Sequence, residues 1–304
     1  MINIIQKRKI TFALSSILFV ASIVILIVFG LKPGIDFTGG SLMEVSFSET
    51  RPGLNEIQES LSTVGFDLGS VSTQPIDDDS FLIKTRFISE DEHQLVLEKI
   101  RADFENENNR VLEERVETIG PAISSQLRTR AIYAAIAVVL AIVFYVAYAF
   151  RRVSKPVQSW KYGITAIIAL VHDVTITMAV FALLGRFYGV EVDIPFVVAL
   201  LTILGYSVND TIVVFDRVRE NLIKRGSSQF ADTVNLGVNQ TLTRSFNTSL
   251  TTLVVLSALF VFGGATIHYF SLALIIGILL GTYSSIFLAS PLLVVWQEYK
   301  YRKV

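Results

Sequence analysis

No cysteine occurs anywhere in the 304 residues. That excludes a disulfide framework, a thiol nucleophile and a thiolate metal site. Histidine is nearly as scarce: His93, His172 and His268 stand far apart, without the spacing of zinc ligands. Charge is thin too. Asp, Glu, Lys and Arg make up 17% of the chain against 52% hydrophobic residues, and mean hydropathy is +0.55. A water-soluble domain needs more charge than that, so the composition is that of a polytopic membrane protein. The net charge of −1 hides an asymmetry. Between Lys32 and Arg130 there are 10 Lys and Arg against 19 Asp and Glu, so the rest of the chain carries a surplus of 8 positive charges.

Lys7-Arg8-Lys9 precede an apolar run from Ile10 to Leu31. A basic start followed by an apolar stretch is also the mark of a secretory signal peptide. This run is about 20 residues long and ends in F-G-L-K-P-G, with no A-x-A cleavage site, so it reads as an uncleaved spanning helix. Five further apolar runs cover Ala131 to Phe150, Gly163 to Gly185, Ile194 to Phe215, Ser249 to Thr266 and Phe270 to Trp296. Basic residues follow the second, fourth and sixth of the resulting spans: Arg151, Arg152, Lys155 and Lys161; Arg217, Arg219, Lys224 and Arg225; Lys300, Arg302 and Lys303. By the positive-inside rule both termini are then cytoplasmic, and Trp160, Tyr162, Trp296 and Tyr299 mark that interface. The expected organisation is a cytoplasmic N-terminus (1–9), helix one (10–31), an extracytoplasmic domain with its connectors (32–130), helices two to six (131–296) and a basic cytoplasmic tail (297–304).

The outer segment has soluble character. G-I-D-F-T-G-G (Gly34 to Gly40) is a turn whose glycines permit positive φ. Alternation of apolar and polar residues predicts strands at Ser41 to Ser48 and Phe81 to Phe87, with further strands at Val71 to Ile76 and Val111 to Ile119. Helical spacing of Leu54, Ile57, Leu61 and Val64 predicts one helix. A second opens in a capping box from Ser89 to Glu92, with Leu95, Ile100 and Phe104 on its apolar side. The order β-α-β-β-α-β is the split βαβ, or ferredoxin-like, arrangement. The fold class expected is therefore six transmembrane helices with an α+β domain between helices one and two.

The most informative stretch is L-G-Y-S-V-N-D-T-I-V-V-F-D-R-V-R-E-N, from Leu204 to Asn221. It continues an apolar run yet carries Ser207, Asn209 and Asp210 before the charged pair Asp216-Arg217. At about 1.5 Å per residue Asp210 lies roughly 9–10 Å inside that boundary, about a third of the way into a ~30 Å hydrocarbon core. An ionisable group there costs at least ~2–3 kcal/mol without a partner, so it is a functional candidate. A structural contact between helices is the plainer alternative, and Gly205 and Ser207 suit close packing under either reading. His172-Asp173 lies in the third span, about ten residues beyond Lys161, and serves a structural network as well as it serves proton handling. In the fifth span Arg244, Thr248 and Thr251 fall on one helix face. Arg244 either snorkels to the headgroups or acts as a switchable partner for Asp210. Gly277, Gly281, Ser284 and Ser285 of the last span read as a small-residue packing face without chemistry.

These motifs carry a resemblance. G-I-D-F-T-G-G after the first span, H-D in the third, G-Y-S-V-N-D-T-I-V-V-F-D-R-V-R-E-N in the fourth and T-R-S-F-N-T-S-L-T-T in the fifth closely resemble the SecF family. That family supplies the smaller membrane subunit of the bacterial SecD–SecF auxiliary translocase, within the resistance–nodulation–division superfamily. The resemblance spans nearly the whole chain. It implies an inner-membrane transport subunit, not an enzyme, that uses the proton gradient with SecD to promote late steps of preprotein translocation. Protons are the coupling ion, and no other cofactor is implied. The implied partners are SecD, the SecYEG translocon, YajC and unfolded preprotein. The family's proton-relay aspartate and arginine match Asp210 and Arg244. Its motif after helix one matches Gly34, Asp36, Phe37, Gly39 and Gly40, and His172, Asp173, Ser207, Asn209, Thr248 and Thr251 would be supporting polar residues.

Two other classes compete. Asp173 and Asp210 could form the carboxylate dyad of an intramembrane aspartyl protease, but the sequence before Asp210 is S-V-N, where that family has G-x-G. A non-conducting subunit that stabilises SecD would leave the cost of Asp210 unexplained. A small-molecule efflux pump of the same superfamily fits less well, because the outer domain is short and single.

Overall fold

The computed structural model describes residues 1–76, 78–149, 157–225 and 229–301. Asp77 of the acidic turn, Phe150, and the basic residues Arg151, Arg152, Lys155, Arg302 and Lys303 of the orientation argument lie outside them. The chain divides into two units: residues 33–131, and residues 1–32 with those from 132 onward.

Unit 33–131 opens on the glycine motif. Ile35–Thr38 makes a single helical turn, α2, following the long helix α1 (Arg8–Phe29). Strand β1 (Gly40–Phe47) then leads to α3 (Leu54–Ser62), β2 (Ser72–Ile76), β3 (Ser80–Thr85), α4 (Glu90–Phe104) and β4 (Val111–Ile119). The four strands form one antiparallel sheet in the order β2-β3-β1-β4, as the split βαβ pattern requires. The strands lie within one or two residues of their expected bounds. Gly39 and Gly40 both take positive φ, at +73° and +138°. A Cβ on Gly40 would sit 2.7 Å from the Thr85 carbonyl oxygen, so only glycine lets β1 start here against β3.

Val45, Phe47, Phe81 and Ile83 project from the sheet onto Ile57 and Leu61 of α3 and onto Val96, Leu97 and Ile100 of α4. Phe47 meets Phe81 and Phe104 edge to face, each with centroids 6.2 Å apart. Leu95, expected on the apolar side of α4, is exposed, because Val96, Leu97 and Ile100 already fill that face. The capping box is present: the Glu92 amide donates to Ser89 Oγ at 3.3 Å and the Ser89 amide to Glu92 Oε2 at 2.8 Å.

The second unit holds five more long helices, α5 (Pro121–Ala149, which begins in the first unit), α6 (Ser159–Tyr188), α7 (Ile194–Arg225), α8 (Phe230–Phe262) and a rod from Gly264 to Tyr301. Together with α1 these are six helices long and apolar enough to cross a membrane. The rod is α9 (Gly264–Ser284), a π-helical turn (Ser285–Ala289) and α10 (Ser290–Tyr301). Helix α8 begins well before its apolar run at Ser249. Its polar opening turns pack through Val234 and Val238 into the core of the unit, so hydropathy alone understates its length. It ends at Phe262, short of Thr266, where Gly264 at φ +72° breaks the path. Tyr162, expected at the interface, is buried against Phe215. Lys161, counted above among loop charges, is buried and donates to Gln297 Oε1 at 2.8 Å.

Glycine decides how closely the central helices approach. Gly277 of α9 faces Ile203, Gly281 faces Ser207, and Gly237 of α8 faces Val218, each with no room for an unperturbed Cβ. Close approach of α9 to α7 brings short side chains into hydrogen-bonding range across the helix interface.

Candidate functional site

Two carboxylates occupy the middle of this packing, and each is held by hydroxyls from other helices. Asp173 of α6 is fully buried. Its Oδ2 accepts from Ser207 Oγ of α7 and Ser284 Oγ of α9, both at 2.7 Å. Its Oδ1 meets His172 Nδ1 at 3.0 Å. Asp210 of α7 retains 9% exposure. Its Oδ1 accepts from Ser245 Oγ of α8 at 2.5 Å, and its Oδ2 accepts from Ser285 Oγ.

The local geometry explains why neighbours in sequence serve different acids. Ser207 and Asp210 are three residues apart and share one side of α7. Ser284 and Ser285 are consecutive, so they point about 100° apart around the helix. One therefore reaches α6 and the other α7. Ser285 is also where the π-helical turn begins, a feature that occurs preferentially at functional sites. Ser290 Oγ donates to the Ser285 carbonyl at 2.9 Å, across the same turn.

The two acids differ in their hydrogen bonds. Asp173 has three polar partners, two serine hydroxyls and the His172 ring. Asp210 accepts two. Ser285 Oγ also lies 3.1 Å from the Thr282 carbonyl, so its hydroxyl can turn there and accept from a protonated Asp210. No backbone change is needed. A further hydroxyl chain adjoins the site: Tyr206 donates to Ser249 Oγ at 3.0 Å, and Ser249 meets Thr282 Oγ1 at 2.5 Å.

The remaining candidates are distributed differently. Arg244 precedes Ser245 but points out to an open polar cleft of about 330 Å³, lined also by Asp216, Arg217, Glu220, Gln240 and Thr241. Among the described residues no ion pair within 4.0 Å joins it to Asp210, although the two attract electrostatically. Asn209 is exposed on the opposite side of α7. Thr248 and Thr251 are exposed and bond along their own helix, to the carbonyls of Arg244 and Thr248, both at 2.9 Å. Gly34, Gly39 and Gly40 shape the backbone turn, and Thr38 Oγ1 donates to the Gly34 carbonyl at 3.0 Å. Asp36 and Phe37 lie within that turn.

Sequence reasoning missed Ser245, Ser284 and Ser285. Their one signal was polarity at buried-helix spacing, which packing serines share. Nor do the carboxylates form a protease dyad. Their oxygens bind separate serines, whereas a dyad shares one proton between them.

Comparison with known proteins places this arrangement. Residues 99–299 match the family described as "Protein export membrane protein SecD/SecF, C-terminal", and residues 24–50 match the "SecD/SecF GG Motif". The protein translocase subunit SecF of Thermobaculum terrenum is 39% identical over all of this chain and 96% of its own length. The protein translocase subunit SecDF of Bacillus subtilis is 35% identical, over 98% of this chain but 38% of that protein. Among solved structures, SecDF of Thermus thermophilus, described as a translocon-associated membrane protein, matches with a TM-score of 0.83 and 34% identity. That match covers 98% of this chain and 39% of the larger one. The chain belongs to the SecD/SecF protein-export family, as a subunit of the SecF type.

Proposed function

We propose that this subunit couples proton movement to protein export through Asp210, in a complex with SecD. The observation that carries the reading is a carboxylate inside a spanning helix whose two oxygens are each held by one serine, one of which has an alternative acceptor. Such a group can take and release a proton without disturbing the backbone. Arg244, exposed in the adjoining cleft, is the gate. Opposite charge close to a carboxylate favours its ionised form and withdrawal favours protonation, so movement of Arg244 toward or away from the site exchanges a proton.

Association with SecD is supported by two facts. The relatives named SecDF carry this chain's counterpart within one longer polypeptide. The outward faces of α7 and α8 also expose Asn209, Arg244, Asn247, Thr248 and Thr251 within spanning helices. Bare polar groups in hydrocarbon are costly, so a partner helix bundle covers them. Basic residues at the ends of spans two, four and six support cytoplasmic termini, with residues 33–131 on the far side.

The test is a comparison of Asp210→Asn, Arg244→Met and the double variant in proton-gradient-stimulated export by vesicles containing the SecD complex. The Asn variant keeps shape and hydrogen bonding but cannot titrate, so stimulation is lost while assembly persists. If both residues serve one step, the double variant is no worse than the more severe single. Normal stimulation with Asp210→Asn removes Asp210 from the mechanism, and partial, additive losses refute gating by Arg244.

A further inference from the structure

His172 and Asp173 are neighbouring buried titratable groups that the reading above leaves unused. His172 retains 3% exposure, and its Nδ1 is committed to Asp173 Oδ1 at 3.0 Å. With the Asp173 carboxylate ionised, its oxygen can only accept, and the single proton of a neutral imidazole then sits on Nδ1. Nε2 is then a bare lone pair. It is buried and has no hydrogen-bond partner among the described residues.

The surroundings suit a cation. The ring lies between Phe19 of α1 and Tyr283 of α9, at centroid distances of 6.2 and 6.4 Å and interplanar angles of 19° and 26°. Tyr283 is itself fixed, its hydroxyl meeting Ser15 Oγ at 3.0 Å. Asp173, on the same helix, supplies the counter-charge. The groups packed around it from elsewhere are Phe19 and Ser15 of α1, Ser207 of α7, and Tyr283 and Ser284 of α9, and tyrosine is the one titratable group among them. A buried imidazole with one nitrogen engaged by a carboxylate and the other unsatisfied is an incomplete hydrogen-bond arrangement, and binding a proton changes its charge without breaking the existing bond.

We propose that His172 is a second proton-binding site of the membrane unit, taking a proton at Nε2 while its Nδ1–H remains on Asp173. In that step the Nε2 lone pair forms an N–H bond with a proton from hydronium, which is left as water, and imidazole becomes imidazolium beside the Asp173 carboxylate. Release reverses it. The inference rests on the proton-coupled reading of Asp210, which would thereby gain a second carrier.

The test uses the full-length chain with SecD in lipid bilayers, labelled with ¹⁵N-histidine, from about pH 5 to about pH 8. The expected result is an Nε2 resonance that moves from the unprotonated to the protonated range while Nδ1 stays protonated, and that persists in Asp210→Asn. Assignment uses its disappearance in His172→Asn. Should that variant fail to assemble, His93→Gln and His268→Gln leave His172 as the remaining signal. Asn at 172 retains a donor where Nδ1 stood but has nothing at the Nε2 position, so the pH profile of gradient-stimulated export shifts. An Nε2 locked in one state throughout, or an unchanged pH profile in His172→Asn, overturns the proposal. Neither outcome bears on Asp210, whose own test is loss of export stimulation in Asp210→Asn.

Discussion

Gly277→Ala is the most demanding test of how α9 and α7 build the site. A methyl at this position would lie 2.2 Å from Ile203 Cδ1, 2.3 Å from Cγ1 and 2.8 Å from Cγ2. Carbon atoms pack at about 3.5–4.0 Å, so the two helices must separate or Ile203 must leave its rotamer. Overpacking of this kind costs about 1–3 kcal/mol. Replacing helical glycine by alanine gains at most about 1 kcal/mol, so a net loss is expected. One turn further along, the same pair of helices makes the Gly281–Ser207 contact, and just beyond it Ser284 and Ser285 reach the two acids. A separation of about 1 Å would stretch the Ser285–Asp210 bond, which crosses between these same two helices, past the useful hydrogen-bond range. Gly277→Ala should therefore lower both thermal stability in detergent and gradient-stimulated export. Ile203→Ala deletes all three clashing atoms. Alone it opens a cavity worth about 2–5 kcal/mol. Combined with Gly277→Ala it should show a favourable coupling of about 1–3 kcal/mol in a double-mutant cycle. A neutral Gly277→Ala, or strictly additive losses in the pair, would refute the close-packing argument.

Ser285→Ala removes one of the two hydroxyls on Asp210 and should reduce gradient-stimulated export by roughly tenfold or more, since a hydrogen bond to a charged group is worth about 1.5–3 kcal/mol. Ser284→Ala, one residue away, leaves Asp210 untouched and should instead lower thermal stability, and the opposite pattern would contradict the assignment of each serine to its acid. A fragment of residues 33–131 should fold alone, giving a mixed α/β circular dichroism spectrum, and a random-coil spectrum would count against it. Its stability should fall on acidification. The Arg86 guanidinium holds Glu92 below its ordinary value of 4.5, and the Lys99 ammonium holds Asp103 below 3.8. Stabilisation by depressed carboxylates is complete at neutral pH and is lost as pH falls through the folded values, so the urea midpoint should drop below about pH 4.5 and not above it. Ser89→Ala should cost that fragment about 1 kcal/mol through the lost N-cap, read from the same midpoint.

Much of this protein was legible in the chain itself. Apolar run length is a local property, so six spans emerge from composition along the sequence, as does the βαββαβ order from its alternating and helical periods. The capping box at Ser89 and Glu92 is likewise local, closed within four residues. Asp210 and Asp173 stood out because a charge in an apolar run is costly wherever the helix goes. Their partners did not stand out. Ser284 and Ser285 reach acids 111 and 75 residues away, and Ser245 reaches Asp210 across 35. Serine in a spanning helix serves packing and hydrogen bonding equally well, and nothing local tells which face of α9 meets a carboxylate. The glycines at 277 and 281 set the approach of α9 to α7, the π-helical turn at Ser285 fixes its rotation, and those two features divide one pair of adjacent serines between two acids. Arg244 makes the same point in reverse. Its spacing placed it beside Asp210, while the packed helices turn it outward into the cleft and give its neighbour Ser245 the contact. Which residue of a polar helix face touches the buried charge is set by the rotation of one helix against another, a quantity that only tertiary packing determines.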